Sequence, residues 1–404
     1  MAESPSSRPV SAVALFLTAA AGGAVAGVVG GAFIWAVRSL IDLLWHDLPE
    51  QIGIEAYSSW WIFAVPAVGG LLVGLGQRFL GNYPEPIDQV VAKWRTGGRV
   101  EPSTIPATGI NSLSALATGG PVGFEAALTG LLGGIAAWIG ERIRGAREVV
   151  RQAWGAERID SLPRTIADLP YWLAAVAGLV AYKALPFGQI DMGFRFGDIP
   201  DAANTKYLLW IFVFAALLVL PLAWATKVVG WAETRTWYRR YPEVAAIAGA
   251  VVFSTMALGH EYVLFSGQQV YQKLPELSEG WLVYLSLAKW AALVVALLAG
   301  WRGGPIFPTI TSASAAAVLF ASLVDVPADL LMVAAVASVS VVFLKGKVAV
   351  GFVLSLYVVP LSNAGLILVG CIGSALAFGV LGAQGWIPAV EDRSAGGDEQ
   401  FEGA

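Results

Sequence analysis

Apolar positions along this chain form long uninterrupted runs and shorter runs that Gly and Pro interrupt. A membrane-spanning helix needs about 20 apolar residues, so the long runs predict spans. The long runs are Ser11–Trp45, Trp60–Leu80, Tyr171–Leu185, Tyr207–Trp231, Val244–Leu258, Leu282–Gly300 and Asn363–Leu381. The shorter runs predict helices that are tilted or that stop inside the membrane. They are Pro86–Trp94, Thr104–Thr118, Pro121–Ile143, Tyr262–Leu274, Pro305–Leu323, Ala328–Leu344 and Val348–Val359. The pattern predicts an all-α polytopic membrane protein.

Composition supports this prediction and excludes several other classes. The 404 residues are 57% hydrophobic and 13% charged, whereas a soluble domain carries about 25% charged residues. The net charge of −4 gives no case for a nucleic-acid partner. The single cysteine, Cys371, and the two histidines, His46 and His260, cannot build a Cys/His metal cluster. We therefore predict no metal and no cofactor.

The runs place residues 1–390 in one transmembrane domain within the lipid bilayer, as a multi-pass protein of the cell (plasma) membrane. The first run continues to Trp45 and is far longer than a signal-peptide core, so we interpret it as a retained membrane helix. Arginines between Arg142 and Arg164 predict a cytoplasmic loop. Carboxylates in the same stretch, such as Glu148, are interpreted as solvated charges. Residues 391–404 are acidic and Gly-rich and predict a disordered tail.

Two broken regions recur with similar spacing, one in each half of the chain. Gly81–Glu85 precedes Gly119–Glu125, and Ser266–Gln269 precedes Gly303–Pro308, by about 40 residues in each case. Broken helices at membrane depth are tolerated where they line a cavity, and they mark the substrate site in transporters built from inverted repeats. We therefore predict two repeated halves, at about residues 10–185 and 206–388.

Glu125 is a lone carboxylate in the apolar stretch Ala115–Trp138. An ionised side chain at bilayer depth costs on the order of 3 kcal/mol, so it usually faces water or a counter-ion. Glu125 lies one turn after Gly119–Pro121, where a helix is predicted to begin, and helix N-termini bind anions. The combination predicts an anion site that a titratable group opens or closes. The alternative is a buried ion pair, but no basic residue lies within a helical turn of Glu125 in the sequence.

The chain resembles the CLC family of chloride channels and chloride/proton antiporters in three motifs. Gly123-Phe124-Glu125-Ala126-Ala127 corresponds to the family's G-[KR]-E-G-P, with its gating glutamate third. Gly303-Gly304-Pro305-Ile306-Phe307-Pro308 corresponds to G-G-x-F-x-P, and Gly81-Asn82-Tyr83-Pro84-Glu85 to G-S-G-I-P-E. The resemblance implies a CLC-like inverted-repeat bundle of tilted and broken helices, running from about residue 12 to about residue 388.

The resemblance also implies roles for individual residues. Glu125 becomes the gate: its carboxylate competes with the anion when ionised and admits the anion when protonated. Lys289 is a candidate for the ion vestibule, with a structural anchor as the alternative. The bound ligand is chloride, held by backbone N–H groups and by an amide in place of the family's serine. The predicted anion-binding residues are Asn82, Gly123, Phe124, Ile306 and Phe307.

The predicted function is transmembrane chloride transport, as a channel or as a loosely coupled chloride/proton exchanger. The family's internal proton-relay glutamate finds no counterpart in the charged stretch between Glu125 and Tyr171, which favours passive or loosely coupled flux. Fluoride or nitrate remain open as the anion, since the family's late tyrosine is absent near Trp386. The resemblance implies a homodimer with one pore per subunit. The alternatives are a membrane-embedded lipid or isoprenoid transferase and a non-transporting scaffold paralogue.

Overall fold

The computed structural model describes residues 7–87, 89–90, 93, 100–161, 163–184 and 205–387. These residues form helices joined by short loops. The helices are α1 (Ser7–Asp42), α2 (Leu48–Gln51), α3 (Ser59–Leu80), α4 (Ile105–Ala117), α5 (Glu125–Trp154), α6 (Ala156–Asp160), α7 (Arg164–Ala167), α8 (Leu169–Ala184), α9 (Thr205–Glu233), α10 (Pro242–Ala257), α11 (Glu279–Leu298), α12 (Ile306–Val324), α13 (Ala328–Phe343), α14 (Val348–Val358) and α15 (Ala364–Ala383). A π-helical segment, Leu43–Asp47, follows α1. The 3-10 segments are Pro102–Thr104, Trp237–Arg240, Glu261–Val263, Gln268–Glu276 and Leu361–Asn363.

Helix lengths are mixed, as the apolar runs predict. Six helical stretches of the described chain are long and apolar enough to cross a membrane; they are Ala12–Gln51, Ser59–Leu80, Lys206–Arg240, Glu279–Leu298, Ile306–Val324 and Leu361–Ala383. Shorter apolar helices include α8, α10 and α13. The all-α polytopic prediction is confirmed.

The chain forms two compact units, and the two repeated halves stay a prediction. The first unit contains the described residues within Met1–Met192, Thr236–Ser266 and Val295–Gly304. The second contains the described residues within Gly193–Arg235, Gly267–Val294 and Pro305–Ala404. The boundary at Gly304 therefore falls inside the second glycine-rich motif, between Gly304 and Pro305.

Close backbone approach holds the first unit together. A Cβ added to Gly23 would lie 2.7 Å from the Cα of Ala174, and one added to Gly27 would lie 2.9 Å from the carbonyl carbon of Gly178. Only glycine therefore lets α1 approach α8 this closely, which is the usual way that membrane helices associate. The pair α3 and α10 is joined by the hydroxyl of Ser254, which donates to the carbonyl of Ile62 at 2.7 Å.

The second unit has its own buried polar contacts. The Ser338 hydroxyl of α13 donates to the Ala215 carbonyl of α9 at 2.6 Å, and it lies 2.6 Å from the Ser374 hydroxyl of α15. Helix α13 is buried along nearly its whole length, from Leu330 to Val342. It is therefore the core helix of this unit, and α9, α12 and α15 pack around it.

Two boundary predictions are wrong. The helix predicted to begin at Gly119–Pro121 begins at Glu125, so the carboxylate belongs to the first helical residue and does not lie one turn further on. The predicted arginine-rich loop continues α5 as far as Trp154, where Arg151 pairs with Glu148 and Asp160. Alternating charges support such a helix through local ion pairs, which the interpretation as a loop overlooked. The predicted tail at 391–404 lies outside the described residues.

Candidate functional site

The loop from Thr118 to Phe124 joins α4 to α5 and is fixed by backbone hydrogen bonds. Gly119 adopts a φ of +90°, and its carbonyl accepts from the N–H of Phe265 at 3.1 Å. The N–H of Gly120 donates back to the Ala115 carbonyl at 3.0 Å. A Cβ on Gly120 would lie 2.7 Å from the Trp301 ring, so a side chain there would break the packing. Glycine is thus required at position 119 by the backbone conformation and at position 120 by the lack of space.

The two glycine-rich motifs meet in an isolated antiparallel bridge. The N–H of Gly123 donates to the carbonyl of Gly304 at 2.7 Å, and the N–H of Gly304 donates to the carbonyl of Gly123 at 2.7 Å. Both glycines belong to the first unit. The bridge occupies the N–H of Gly123, which is therefore unavailable to an anion in this structure. Gly123 instead fixes the position of the loop before α5.

The carboxyl group of Glu125 lies against this bridge. A Cβ added at Gly123 or at Gly304 would collide with the Glu125 carboxyl atoms, so the absence of side chains at both positions makes room for it. Glu125 is partly buried, while Gly123, Phe124 and Ala126 around it are buried. Its own carbonyl accepts from the hydroxyl of Thr129 at 2.7 Å, which continues the helix normally.

The position of Glu125 is electrostatically favourable. The first N–H groups of a helix have no partner within the helix, and the terminus carries roughly half a positive charge. Phe124, the residue before α5, is apolar and 8% exposed, so it has no polar side chain to cap these groups. A carboxylate on the first helical residue therefore lies at the most positive point of a 30-residue helix. A small anion at the same point would be stabilised by the same groups.

A second polar cluster lies in the first unit, around the motif at Gly81–Glu85. The Nε of Arg302 donates to the Oδ1 of Asn82 at 3.0 Å, and the Tyr238 hydroxyl donates to the same oxygen at 3.1 Å. The Nη2 of Arg302 donates to the Tyr238 hydroxyl oxygen. Arg302 is 5% exposed and Tyr238 is 1% exposed. Asn82 thus stays a predicted anion ligand, but its carbonyl end faces two donors of the protein.

Amides from α3 and α4 fix the backbone on either side of this cluster. The Asn111 Nδ2 donates to the carbonyls of Gly81 and Tyr83, at 2.9 Å and 3.1 Å. The Gln77 Nε2 donates to the carbonyl of Gly300, two residues before Arg302. The loop and the arginine are therefore each held by a separate side chain, which keeps their relative positions defined.

Three of the predicted site residues lie in the second unit. Ile306 and Phe307 are the first residues of α12 and are 6% and 2% exposed. Lys289 lies within α11 and is 0% exposed. Their roles in anion binding and in the vestibule stay predictions. Within the described part of the chain, no three His, Cys, Asp or Glu side chains come together as metal ligands.

Arg302 and Tyr238 were not among the residues predicted for the site. Arg302 is the sole basic residue between Lys289 and Lys345 in the sequence, directly before Gly303. A lone cation in an apolar stretch is as unusual as the lone carboxylate of Glu125, so this signal was present in the sequence. Tyr238 follows a group of polar residues and carries no comparable signal, because its burial depends on the tertiary packing of the first unit.

Comparison with known proteins agrees with the fold. The family model described as "Voltage gated chloride channel" matches residues 158–382, which is more than half of the chain. The chain therefore belongs to the voltage-gated chloride channel family, the CLC family. It is also 27% identical, over 303 residues, to a protein of Escherichia coli O139:H28 named "Putative ion-transport protein YfeO". That alignment covers 67% of this chain and 70% of the relative.

Solved structures share the fold at low sequence identity. A slow cyanobacterial Cl−/H+ antiporter matches with a TM-score of 0.72 and 13% identity, covering 91% of this chain and 95% of that one. A CLC-type fluoride/proton antiporter matches with a TM-score of 0.63 and 16% identity, covering 90% and 95%. A eukaryotic CLC transporter gives 0.66 and 15%, covering 91% and 72%. The predicted CLC fold is confirmed.

Membership of this family decides between the classes that the sequence left open. The chain is a multi-pass membrane protein of a family of channels and transporters, and it is not an enzyme. The membrane-embedded transferase is therefore excluded.

Proposed function

We propose that this protein carries small anions, with chloride as the primary candidate, across the membrane past Glu125. The observation that supports this most strongly is the position of the Glu125 carboxyl group. It lies against the bridge between Gly123 and Gly304, on the first residue of α5. That is where a helix N-terminus would otherwise attract an anion.

In this proposal the carboxylate and the transported anion compete for one place. The ionised carboxylate occupies the positive end of α5 and keeps the anion out. Protonation removes the charge of the side chain and with it most of the attraction to the helix terminus. The neutral side chain then gives way to the anion, so flux rises as the pH falls. The N–H groups of Phe124 and Glu125 are the proposed donors from α5.

We further propose passive or loosely coupled flux. Tight exchange needs a proton path from Glu125 to the other side of the membrane. The basic stretch after Glu125 continues α5, and there Arg151 pairs with Glu148 and Asp160 in contact with solvent. Carboxylates engaged in this way are poor candidates for an internal relay. Two of the matched solved structures are those of proton antiporters, so coupling must be measured directly on this protein.

The test replaces Glu125 by glutamine in purified protein reconstituted into liposomes. Glu125→Gln mimics the protonated side chain, so chloride efflux should rise and lose its dependence on pH. The matched control is Glu148→Gln, which removes an exposed carboxylate from the same helix and should leave both flux and pH response unchanged. If Glu125→Gln leaves flux and pH response as in the wild type, Glu125 is not the gate.

The competing proposal is a paralogue that transports nothing and only scaffolds other proteins. Efflux of chloride, fluoride and nitrate from the same liposomes separates the two. Simultaneous recording of proton uptake distinguishes channel from exchanger. Absence of efflux for all three anions, in both the wild type and Glu125→Gln, would favour the scaffold.

A further inference from the structure

Arg302 is a buried cation that takes no part in the proposed gating by Glu125. It is 5% exposed, and its side chain contacts Asn82 and Tyr238 through Nε and Nη2. Both partners are neutral. No carboxylate among the described residues forms an ion pair with Arg302. An arginine stays protonated in proteins, so it cannot relieve the cost of burial by losing its proton.

The donors of this cluster are only partly used. The Nη1 of Arg302 is buried and makes no hydrogen bond with any residue that the structure describes. The Oδ1 of Asn82 accepts from Arg302 and Tyr238, which directs the amide nitrogen of Asn82 away from them. Buried charges are normally paired, and a buried donor without a partner is costly, more so when it is charged. Among the described residues the cluster therefore has a positive charge and spare donors, and no acceptor for them.

A small anion would supply the negative charge and the hydrogen-bond acceptor that this cluster needs. We propose that Arg302, together with the amide nitrogen of Asn82, forms a second anion-binding station in the first unit. The inference rests on the proposed function in taking the ligand to be the transported anion. Arg302 is two residues from Gly304, against which Glu125 lies, so its Cα is within about 7 Å of that of Gly304.

This station differs from the gate in its response to pH. The guanidinium charge is constant over the working range, so anion binding at Arg302 does not require protonation. At alkaline pH the ionised Glu125 excludes the anion from the N-terminus of α5, and the station at Arg302 is the one that still binds. Measurements in alkaline buffer therefore isolate it.

The competing interpretation is that Arg302 only anchors the loop at Gly81–Tyr83 through Asn82. Asn82→Asp separates the two interpretations, because it is nearly isosteric and preserves both hydrogen bonds to this side chain. It also places a fixed negative charge beside the guanidinium. If an anion binds there, the aspartate excludes it; if Arg302 is an anchor alone, the aspartate strengthens the anchor and changes no anion response.

The experiment measures the thermal unfolding midpoint of the purified full chain in alkaline buffer, while chloride replaces gluconate. The wild-type midpoint should rise with chloride concentration, because a ligand that binds the native state stabilises it. Asn82→Asp should raise the midpoint in gluconate and weaken the apparent chloride affinity by about tenfold or more. Arg302→Gln should also lose the response. Arg78→Gln, which removes a half-exposed arginine paired with Glu243, should retain it.

Two results would overturn the station. One is a chloride response in Asn82→Asp equal to that of the wild type, which decides the matter even if Arg302→Gln does not fold. The other is a wild-type midpoint that does not respond to chloride, fluoride or nitrate. Efflux from liposomes is recorded in parallel. If the wild type responds to chloride in solution but transports no anion, the binding station at Arg302 is supported and the proposed transport function is refuted.

Discussion

Replacing Gly304 by alanine places a methyl group where the carboxyl group of Glu125 lies. The nearest atoms to an added Cβ are the Cγ, Cδ and Oε1 of Glu125. All three belong to a flexible side chain, and φ at Gly304 is not in the left-handed region, so the backbone accepts alanine without strain. The side chain of Glu125 must therefore move. Ordinary van der Waals contact begins at 3.4 Å, which requires the carboxyl group to retreat by about 1 Å or more.

This displacement weakens the electrostatic attraction between the Glu125 carboxylate and the N-terminus of α5. An acidic side chain at a helix N-terminus is stabilised by about 0.3–1 kcal/mol at an exposed position and by up to about 2 kcal/mol when partly buried. Glu125 is partly buried, so a loss of about 1–2 kcal/mol is the expected scale. That changes the ratio of open to closed gates by roughly 5- to 30-fold. Gly304→Ala should raise chloride flux at neutral pH by a similar factor.

The assay is chloride efflux from liposomes, with Gly109→Ala as the matched control. Gly109 belongs to the same unit, and its added Cβ would meet only the Leu131 side chain at an ordinary 3.8 Å. The double variant Gly304→Ala with Glu125→Ala is the decisive arm, because truncation at Glu125 removes the atoms that collide. In that background Gly304→Ala should have no further effect, as expected for two residues that act through one contact.

An unchanged efflux rate in Gly304→Ala, with the protein folded, would refute this reasoning. So would the same increase in both the Glu125→Ala background and the wild type, since the methyl group would then act on something other than the gate.

Two further predictions concern the packing of each unit. Gly27→Ala should lower the free energy of unfolding by about 1–3 kcal/mol in detergent, because its Cβ would meet the backbone of Gly178. The control Gly145→Ala, whose added Cβ has nothing within 4 Å, should leave the free energy of unfolding unchanged or raise it slightly. Equal effects of the two substitutions would contradict this prediction. Ser338→Ala should lower the free energy of unfolding by about 0.6–1.7 kcal/mol, because it removes the hydrogen bond to the Ala215 carbonyl. Chemical denaturation measures this change. An unchanged free energy of unfolding would mean that the Ser374 hydroxyl, which also donates to the Ala215 carbonyl, replaces the lost bond.

Most of the helices could be predicted from the sequence, because a helix that crosses the membrane needs a long run of apolar residues. The run at Trp60–Leu80 becomes Ser59–Leu80, and the run at Pro305–Leu323 becomes Ile306–Val324. Hydrophobicity indicated the wrong end for α5, where alternating charges continue the helix into solvent as far as Trp154. Apolar content alone cannot locate the end of a helix that leaves the membrane.

The candidate site follows from the sequence only in part. The lone carboxylate of Glu125 and the glycines around it were identified from their residue types, and the bridge between Gly123 and Gly304 brings the two motifs together. That pairing joins residues 181 positions apart in the sequence (304 − 123), so no local pattern encodes it. The burial of Arg302 against Tyr238 depends on tertiary packing in the same way.

The central claim is that the Glu125 carboxylate and the anion exclude each other at the N-terminus of α5. Counting the protons taken up when chloride binds to the purified protein, by calorimetry in buffers of different ionisation enthalpy, tests it most directly. We predict net proton uptake on chloride binding in the wild type and none in Glu125→Gln. Equal proton uptake in the two proteins would contradict the claim.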